Sequence, residues 1–247
     1  MRRLILPIAV CVLYAGAALG QTSDEARALV DKAIKAHGGE DSLKKYKAGI
    51  LKNKGKIELL DGIEITQEVT FMLPDKFREE VSFTINGMAI KTLSVVNGDK
   101  VGIEVNGKKI PIDDKITESL KEARSMMDAM KLYPLREKGY ELITVGEVKV
   151  NGKPAVGIRA SKKGQKDVTI YFDKKTHLIG KVDRRTVDPM SGQEVSEERI
   201  IAEYQKVDGL PQPKRVVVNR DDKKFVEVEV LEMKFYEKLD DSMFTVP

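Results

Sequence analysis

Three methionines are the residues whose type and spacing most suggest a binding chemistry in this sequence. Met126, Met127 and Met130 lie close together in an amphipathic stretch. Methionine is flexible and polarizable, and clusters of it occur on apolar surfaces that must accept variable shapes. The chemistry offered by such a group is apolar burial. Ordinary packing against a sheet is the alternative explanation, because a periodic apolar stripe usually belongs to a protein core.

Three phenylalanines extend the same apolar surface. Phe71, Phe77 and Phe83 alternate mostly with polar residues, so we expect them on the concave side of one curved sheet, facing the methionines. A curved sheet lined by Phe, Ile, Leu and Val, and covered by a helix bearing methionines, could hold an acyl chain instead of being filled solidly. The candidate ligand-binding residues are Phe71, Phe77, Phe83, Leu120, Met126, Met127 and Met130.

No catalytic or metal-binding signature accompanies these residues, so we predict a non-enzymatic protein without a cofactor. His37 and His177 are far apart and do not form a zinc-type spacing. The stretch 102–109 has the glycine spacing of a phosphate-binding loop, but Lys109 stands where Ser or Thr would bind magnesium, and the sequence predicts a strand and a hairpin there. An enzyme with an unrecognised site is an alternative.

The element that must position the methionines is an amphipathic helix predicted from Asp113 to Leu132. Its other face is charged, so the helix should lie on a sheet. Asp113 and Asp114 are expected to cap its N-terminus. The apolar residues that share one face are Ile116, Leu120, Ala123, Met127 and Met130.

Strand-like sequence lies on both sides of this helix. From about Gly49 onwards, apolar and polar residues alternate, and Asn-Gly or Asp-Gly pairs separate the stretches, which is typical of antiparallel hairpins. We predict roughly ten to twelve strands, enough that an open sheet must curl strongly or close. The predicted fold class is therefore mainly β (α+β): a strongly curved antiparallel sheet forming an open half-barrel, with an N-terminal helix and an inserted lid helix.

A signal peptide is predicted at residues 1–20. Arg2 and Arg3 precede an apolar run that ends in an Ala-Leu-Gly cleavage site, so we expect export and cleavage, with an uncleaved anchor as the alternative. The remainder, 21–247, is predicted to be a single domain because it contains no linker-like segment. Cys11, the only cysteine, falls in the predicted signal peptide, which leaves the exported chain without disulfides or thiol chemistry.

The charge balance argues against nucleic acid as a partner. The sequence has 43 basic and 39 acidic residues, and loss of Arg2 and Arg3 would leave 41 basic residues and a net charge of +2. A chain this balanced lacks the basic excess that nucleic-acid-binding domains show.

The N-terminal helix is predicted to begin at a capping box, Thr22-Ser23-Asp24-Glu25, and to end at His37-Gly38-Gly39. His37 is expected to be a C-terminal residue favoured by the helix dipole.

Several structural motifs carry a resemblance to a known family. They are His37-Gly38-Gly39 at the end of the first helix and, in the C-terminal third, Tyr171-Phe172-Asp173-Lys174-Lys175-Thr176-His177-Leu178-Ile179, Tyr204 with Val207-Asp208-Gly209-Leu210 and Pro213, and Met243-Phe244-Thr245-Val246-Pro247. With the order helix, meander, inserted helix and meander, the chain resembles the periplasmic lipoprotein carriers of the LolA/LolB type and their broader outer-membrane lipoprotein-sorting relatives.

This resemblance implies an open half-barrel whose inserted helix is a lid over a cavity that receives the lipid chains of a lipoprotein in transit. It implies a role in lipid or lipoprotein transfer to the outer membrane, with envelope proteins of the inner or outer membrane as further partners. Arg78 is the candidate for the arginine that secures the closed lid in such carriers. A module that senses envelope stress by contacting a membrane protein is the alternative function on the same fold.

Overall fold

A computed structural model describes residues 23–58, 62–188 and 192–247 of the chain. The predicted signal peptide, with Cys11, lies outside these residues. Three α-helices are described: α1 (Ser23–Ala36), α2 (Glu40–Lys45) and α3 (Asp114–Ala129). The strands are β1 (Ala48–Ile57), β2 (Ile63–Met72), β3 (Lys76–Ile85), β4 (Met88–Asn97), β5 (Lys100–Val105), β6 (Lys108–Ile110), β7 (Tyr140–Val150), β8 (Lys153–Lys162), β9 (Val168–Asp173), β10 (Ile179–Val187), β11 (Glu194–Val207), β12 (Leu210–Arg220) and β13 (Lys223–Tyr236).

All thirteen strands form one antiparallel sheet in the order β6-β5-β4-β3-β2-β1-β13-β12-β11-β10-β9-β8-β7. Two meanders, β1 to β6 and β7 to β13, join side by side because β1 pairs with β13. The sheet ends at β6 and β7 without closing, so it is an open half-barrel. This confirms the predicted fold class, although the strand count exceeds the ten to twelve predicted.

Three of the four predicted asparagine-glycine pairs form hairpin turns, and so does Asp208-Gly209. At the fourth, Asn97-Gly98, the turn lies one residue later, because Asn97 is the last residue of β4 and pairs with Lys100. Asn86, Asn106, Asn151 and Asp208 have φ of 49° or 50°, and the glycine after each also has positive φ. Two successive positive φ angles are what a type I′ hairpin turn requires. The predicted turn at Asp61-Gly62 lies partly outside the described residues.

Helix α1 buries the apolar face that its sequence predicts: Ala26, Val30, Ala33 and Ile34. His37 follows it and is also buried, with its Nδ1 2.8 Å from the Ala33 carbonyl oxygen. Burial lowers the pKa of His37. His37 is therefore a neutral part of the core, which corrects the expectation of a residue favoured by the helix dipole.

None of the helices in the described ranges is long and apolar enough to cross a membrane.

Helices α1 and α3 pack on one side of the sheet, which we call the inner face. The largest core cluster lies there, between α1, the C-terminal part of α3 and strands β7 to β10. Neighbouring strands contribute to it in register; Ile158 of β8 is paired with Ile170 of β9, and Ile170 with Val182 of β10. On the other side of the sheet, the C-terminal segment buries Leu239 and Phe244 against Ala48 and Val95.

Candidate functional site

Helix α3 begins where the sequence predicts and ends earlier. The side chain of Asp113 accepts a hydrogen bond from the backbone N–H of Ile116 at 2.8 Å, which makes it the N-cap. The helix ends at Ala129, three residues before the predicted end at Leu132. Leu132 has φ of 66° and is fully buried, so the chain turns there into a 3-10 helix over Tyr133–Arg136.

Replacing Asp113 by alanine is expected to destabilise the protein by about 1 kcal/mol, because an N–H at the start of α3 loses its side-chain acceptor. Chemical denaturation followed by circular dichroism measures this change. Asp114→Ala is the matched control: Asp114 is an acidic residue of the first turn, favoured by the helix dipole, and is not the N-cap, so its effect should be smaller. Equal losses from both substitutions would contradict the assigned cap.

Four of the seven predicted site residues lie together beneath α3. Phe71 of β2 and Phe77 of β3 are directly paired across the two strands, and both are buried. Leu120 and Met127 of α3 pack against them. This end of the inner face is thus filled by side chains in the present conformation.

The other three predicted site residues pack elsewhere. Met126 is buried, and Met130 half-buried, in the large cluster that includes α1, which favours a core role for both. Phe83 shares the face of Phe77, six residues earlier on β3, but packs in a separate cluster with Ile65. The expectation that Phe83 meets the helix beside Phe71 and Phe77 is therefore corrected: it lies further along the same face.

The cluster around Phe83 forms an apolar surface that we call the open apolar face. It spans five adjacent strands of the sheet, β3, β2, β1, β13 and β12. No residue of the three described helices belongs to it, and seven of its ten side chains are only partly buried. Its members are Ile57, Ile63, Ile65, Val81, Phe83, Val216, Val218, Phe225, Val226 and Val228.

A band of polar side chains separates the open apolar face from the cluster beneath α3. Along β2, Gln67 lies between Ile65 and Val69; along β3, Glu79 lies between Phe77 and Val81. The Nδ2 of Asn53 donates to the Oε1 of Gln67 at 2.7 Å, and the Nε2 of Gln67 donates to the Oε1 of Glu79. The inner face is thus apolar at both ends and polar between them.

Glu197 of β11 is the centre of a second polar group on the inner face. Its side chain is fully buried, and its oxygens are 2.9 Å from the Nη2 of Arg184, 3.0 Å from the Nε of Arg199 and 3.3 Å from the Nη2 of Arg220. Burial alone would raise the pKa of Glu197, but the three arginine charges lower it to about 2. Glu197 is therefore ionised at neutral pH.

The three arginines around Glu197, which are Arg184, Arg199 and Arg220, form what we call the arginine group. Glu79 interacts with this group across the inner face. Burial raises the pKa of Glu79, and the charges of Arg199 and Arg184 oppose that rise. Strands β2, β1, β13 and β12 lie between β3 and β11 in the sheet. The sheet therefore curves enough for the charge of Arg199 on β11 to act on Glu79 of β3.

Arg78 does not fasten the helix. It follows Phe77 on β3 and so points to the opposite side of the sheet, where its Nη2 donates to the Oε2 of Glu80 at 2.8 Å. An arginine of α3 itself makes the contact expected of Arg78: the Nη1 of Arg124 donates to the carbonyl oxygens of Gly98 at 2.8 Å and Asp75 at 3.2 Å. Sequence reasoning missed Arg124 because its acceptors are backbone atoms of distant turns.

No protein-family model matches the chain, and no curated protein matches it in sequence. Solved structures do match in fold. A LolA superfamily protein from Nitrosomonas europaea is 9% identical with a TM-score of 0.57, and the match covers 89% of this chain and 97% of that one.

Two further structures give the same result. A DUF1329 family protein from Desulfovibrio piger is 13% identical, with a TM-score of 0.55 and coverage of 89% of this chain and 97% of that one. A domain named as an outer membrane lipoprotein-sorting protein, from Vibrio parahaemolyticus, is 11% identical, with a TM-score of 0.53 and coverage of 90% and 97%. The structural matches establish the architecture, but at identities this low they leave the activity open. The chain therefore has a LolA-like fold.

Proposed function

We propose that the protein is a non-enzymatic periplasmic protein that binds the acyl chain of a lipid or lipoprotein on the open apolar face, in transfer to the outer membrane. The observation that carries this proposal is the open apolar face itself: ten apolar side chains on five adjacent strands, seven of them only partly buried. One of the ten, Val216, also packs against the large core cluster. The predicted signal peptide supports export, and the periplasm is the compartment that the resemblance to lipoprotein carriers implies. The fold likeness is consistent with the proposal.

The dimensions of the open apolar face suit one acyl chain. Five strands spaced by about 4.8 Å cover roughly 19 Å across the sheet. One lipid chain covers about half of the ~30 Å hydrocarbon core of a bilayer, so a chain lying across the strands would fit. Each methylene group that is buried would contribute about 0.8 kcal/mol to the free energy of binding.

The cluster beneath α3 is proposed as a second part of the same site. Phe71, Phe77, Leu120 and Met127 fill the space between helix and sheet, so a chain can reach them only if α3 moves. The contacts that hold α3 in place include a hydrogen bond between the hydroxyls of Ser119 and Thr186 at 3.0 Å. Such contacts can open and close, which is what a lid requires.

Replacing Val228 by aspartate is expected to weaken binding of a fluorescent fatty acyl probe at least about tenfold, because a carboxylate on the open apolar face must be desolvated beside the chain. Leu231→Asp is the matched control: Leu231 lies on the same strand, β13, but is 57% exposed. It should leave probe binding unchanged.

Mass spectrometry of the purified protein supplies an independent test, since lipid is expected to co-purify. Absence of lipid, together with no probe uptake by the folded protein, would rule out the proposed function. Equal effects of Val228→Asp and Leu231→Asp would show that the chain binds elsewhere.

A further inference from the structure

We propose that Arg199 anchors an anionic headgroup, a carboxylate or phosphate, of an amphiphile whose chain lies on the open apolar face. This inference rests on the proposed function and adds the chemical class of the ligand. It assigns to the arginine group of the inner face the binding of a negative charge, which apolar residues cannot provide.

The arginine group borders the open apolar face at two points. Arg199 of β11 is paired in register with Val218 of β12, a member of that face. The guanidinium carbon of Arg220 lies 3.8 Å from the ring centre of Phe225, another member. A chain that lies across β12 and β13 would therefore place its polar end beside Arg199.

Arg199 is accessible and has hydrogen-bonding capacity to spare. Its side chain is 33% exposed although it lies on the inner face. Within the described part of the chain, its hydrogen bond runs from Nε to the Oε1 of Glu197, which leaves both Nη groups available to a ligand. A guanidinium presents its N–H groups as a planar fork that matches carboxylate and phosphate oxygens.

The three arginines have two carboxylates in direct contact, Glu197 and Asp188, while Glu122 and Glu79 act on them from further away. Three arginines share the one carboxylate of Glu197, and Asp188 accepts from the Nη1 of Arg220 at 2.6 Å. Arg184 is 9% exposed, and its Nη1 is buried without a hydrogen-bond partner among the described residues. A buried donor of this kind is uncommon and indicates donor capacity that the protein does not use itself.

Glu79 is the carboxylate that interacts with Arg199 from across the inner face. Because burial opposes its ionisation, Glu79 is a weak counter-ion for Arg199. An anionic headgroup that accepts from the Nη groups of Arg199 would neutralise it by direct hydrogen bonding. A neutral ester on the same chain would gain apolar burial but not this ion pair.

The test compares a dansyl-labelled fatty acid with its methyl ester on the folded protein. Arg199→Gln is expected to weaken binding of the acid at least about tenfold, as loss of a charge-assisted hydrogen bond predicts, and to leave binding of the ester unchanged. Glu197 keeps two arginines in this variant, so the fold should persist. Arg215→Gln is the matched control, since Arg215 is an exposed arginine of the neighbouring strand β12; it should change neither affinity.

Glu79→Gln is expected to act in the opposite direction. Removing the competing carboxylate should tighten binding of the acid several-fold without affecting the ester, and a damaged fold cannot produce that result. Dodecyl phosphate should displace the labelled acid, whereas inorganic phosphate at the same concentration should not, because it lacks a chain.

Each outcome separates the two proposals. Equal binding of acid and ester, with no effect of Arg199→Gln, would overturn the anchor and leave the proposed function standing. Displacement by inorganic phosphate would also overturn it, since the site would then be a plain anion site. Failure of both acid and ester to bind would overturn the proposed function, and the anchor with it.

Discussion

Replacing Glu197 by glutamine is expected to lower the free energy of unfolding by about 3 to 5 kcal/mol, because it removes the one carboxylate on which three arginines converge. Arg184 is itself buried, so its charge would lose its hydrogen-bonded carboxylate in a region of low polarity. Urea denaturation of both proteins at neutral pH measures the difference. Glu198→Gln is the matched control: Glu198 lies next in sequence, is partly exposed and pairs with Lys181, so its loss should cost less than about 1 kcal/mol.

The same carboxylate predicts a dependence of stability on acid. The pKa of Glu197 is lowered from 4.5 to about 2 in the folded protein, a difference worth roughly 3 kcal/mol. Because the folded-state pKa is depressed, this stability is present above pH 4.5 and is lost as the pH falls from there towards 2. The Glu197→Gln variant lacks this carboxyl group. The difference in free energy of unfolding between the two proteins should therefore shrink as the pH falls from 4.5 towards 2. A constant gap would mean that the arginines do not hold Glu197 ionised.

The sheet was predictable because its signals are local. Alternation of apolar and polar residues identifies a strand, and the positive φ at Asn86, Asn106 and Asn151 is what their Asn-Gly pairs predict. Asn97, which also precedes a glycine, is the exception and ends β4 instead. Pairing of β1 with β13 joins residues far apart in the chain, and no local pattern indicates it.

The methionines show where periodicity stops being informative. Consecutive residues on a helix point about 100° apart, so Met126 and Met127 face different neighbours. Met126 enters the core beside α1, and Met127 meets Phe71 and Phe77. Helix α3 lies at the boundary of two clusters, and the sequence alone cannot show which methionine belongs to which.

Part of the polar band can be predicted from the sequence, although our sequence analysis did not identify it. Gln67 and Glu79 occupy inward positions of β2 and β3 between apolar residues, which is an interruption that a strand pattern can reveal. Glu197 gives no such signal, because it lies in the charged run Ser196-Glu197-Glu198-Arg199. Its three arginines come from β10, β11 and β12 and meet only through the strand register.

Locking α3 to the sheet is expected to limit the length of acyl chain that the protein can bind. The side-chain oxygens of Ser119 and Thr186 are 3.0 Å apart, so cysteines at these two positions would place two thiols side by side for oxidation to a disulfide, and residues 21–247 contain no other cysteine. In the oxidised double variant, Ser119→Cys with Thr186→Cys, the disulfide holds α3 against β10, so the acyl chain cannot pass beneath the helix. Affinity should then rise with chain length only until the open apolar face is filled.

The size of this effect follows from apolar burial. Each methylene excluded from the space around Phe71, Phe77 and Met127 forgoes about 0.8 kcal/mol, close to a fourfold loss in affinity. Four excluded methylenes would therefore weaken binding by more than about a hundredfold, and reduction of the disulfide should restore it. Ser119→Cys alone, treated with the same oxidant, controls for loss of the hydroxyl. If the oxidised and reduced forms give the same chain-length series, the chain stays on the open apolar face, and the residues beneath α3 are ordinary core.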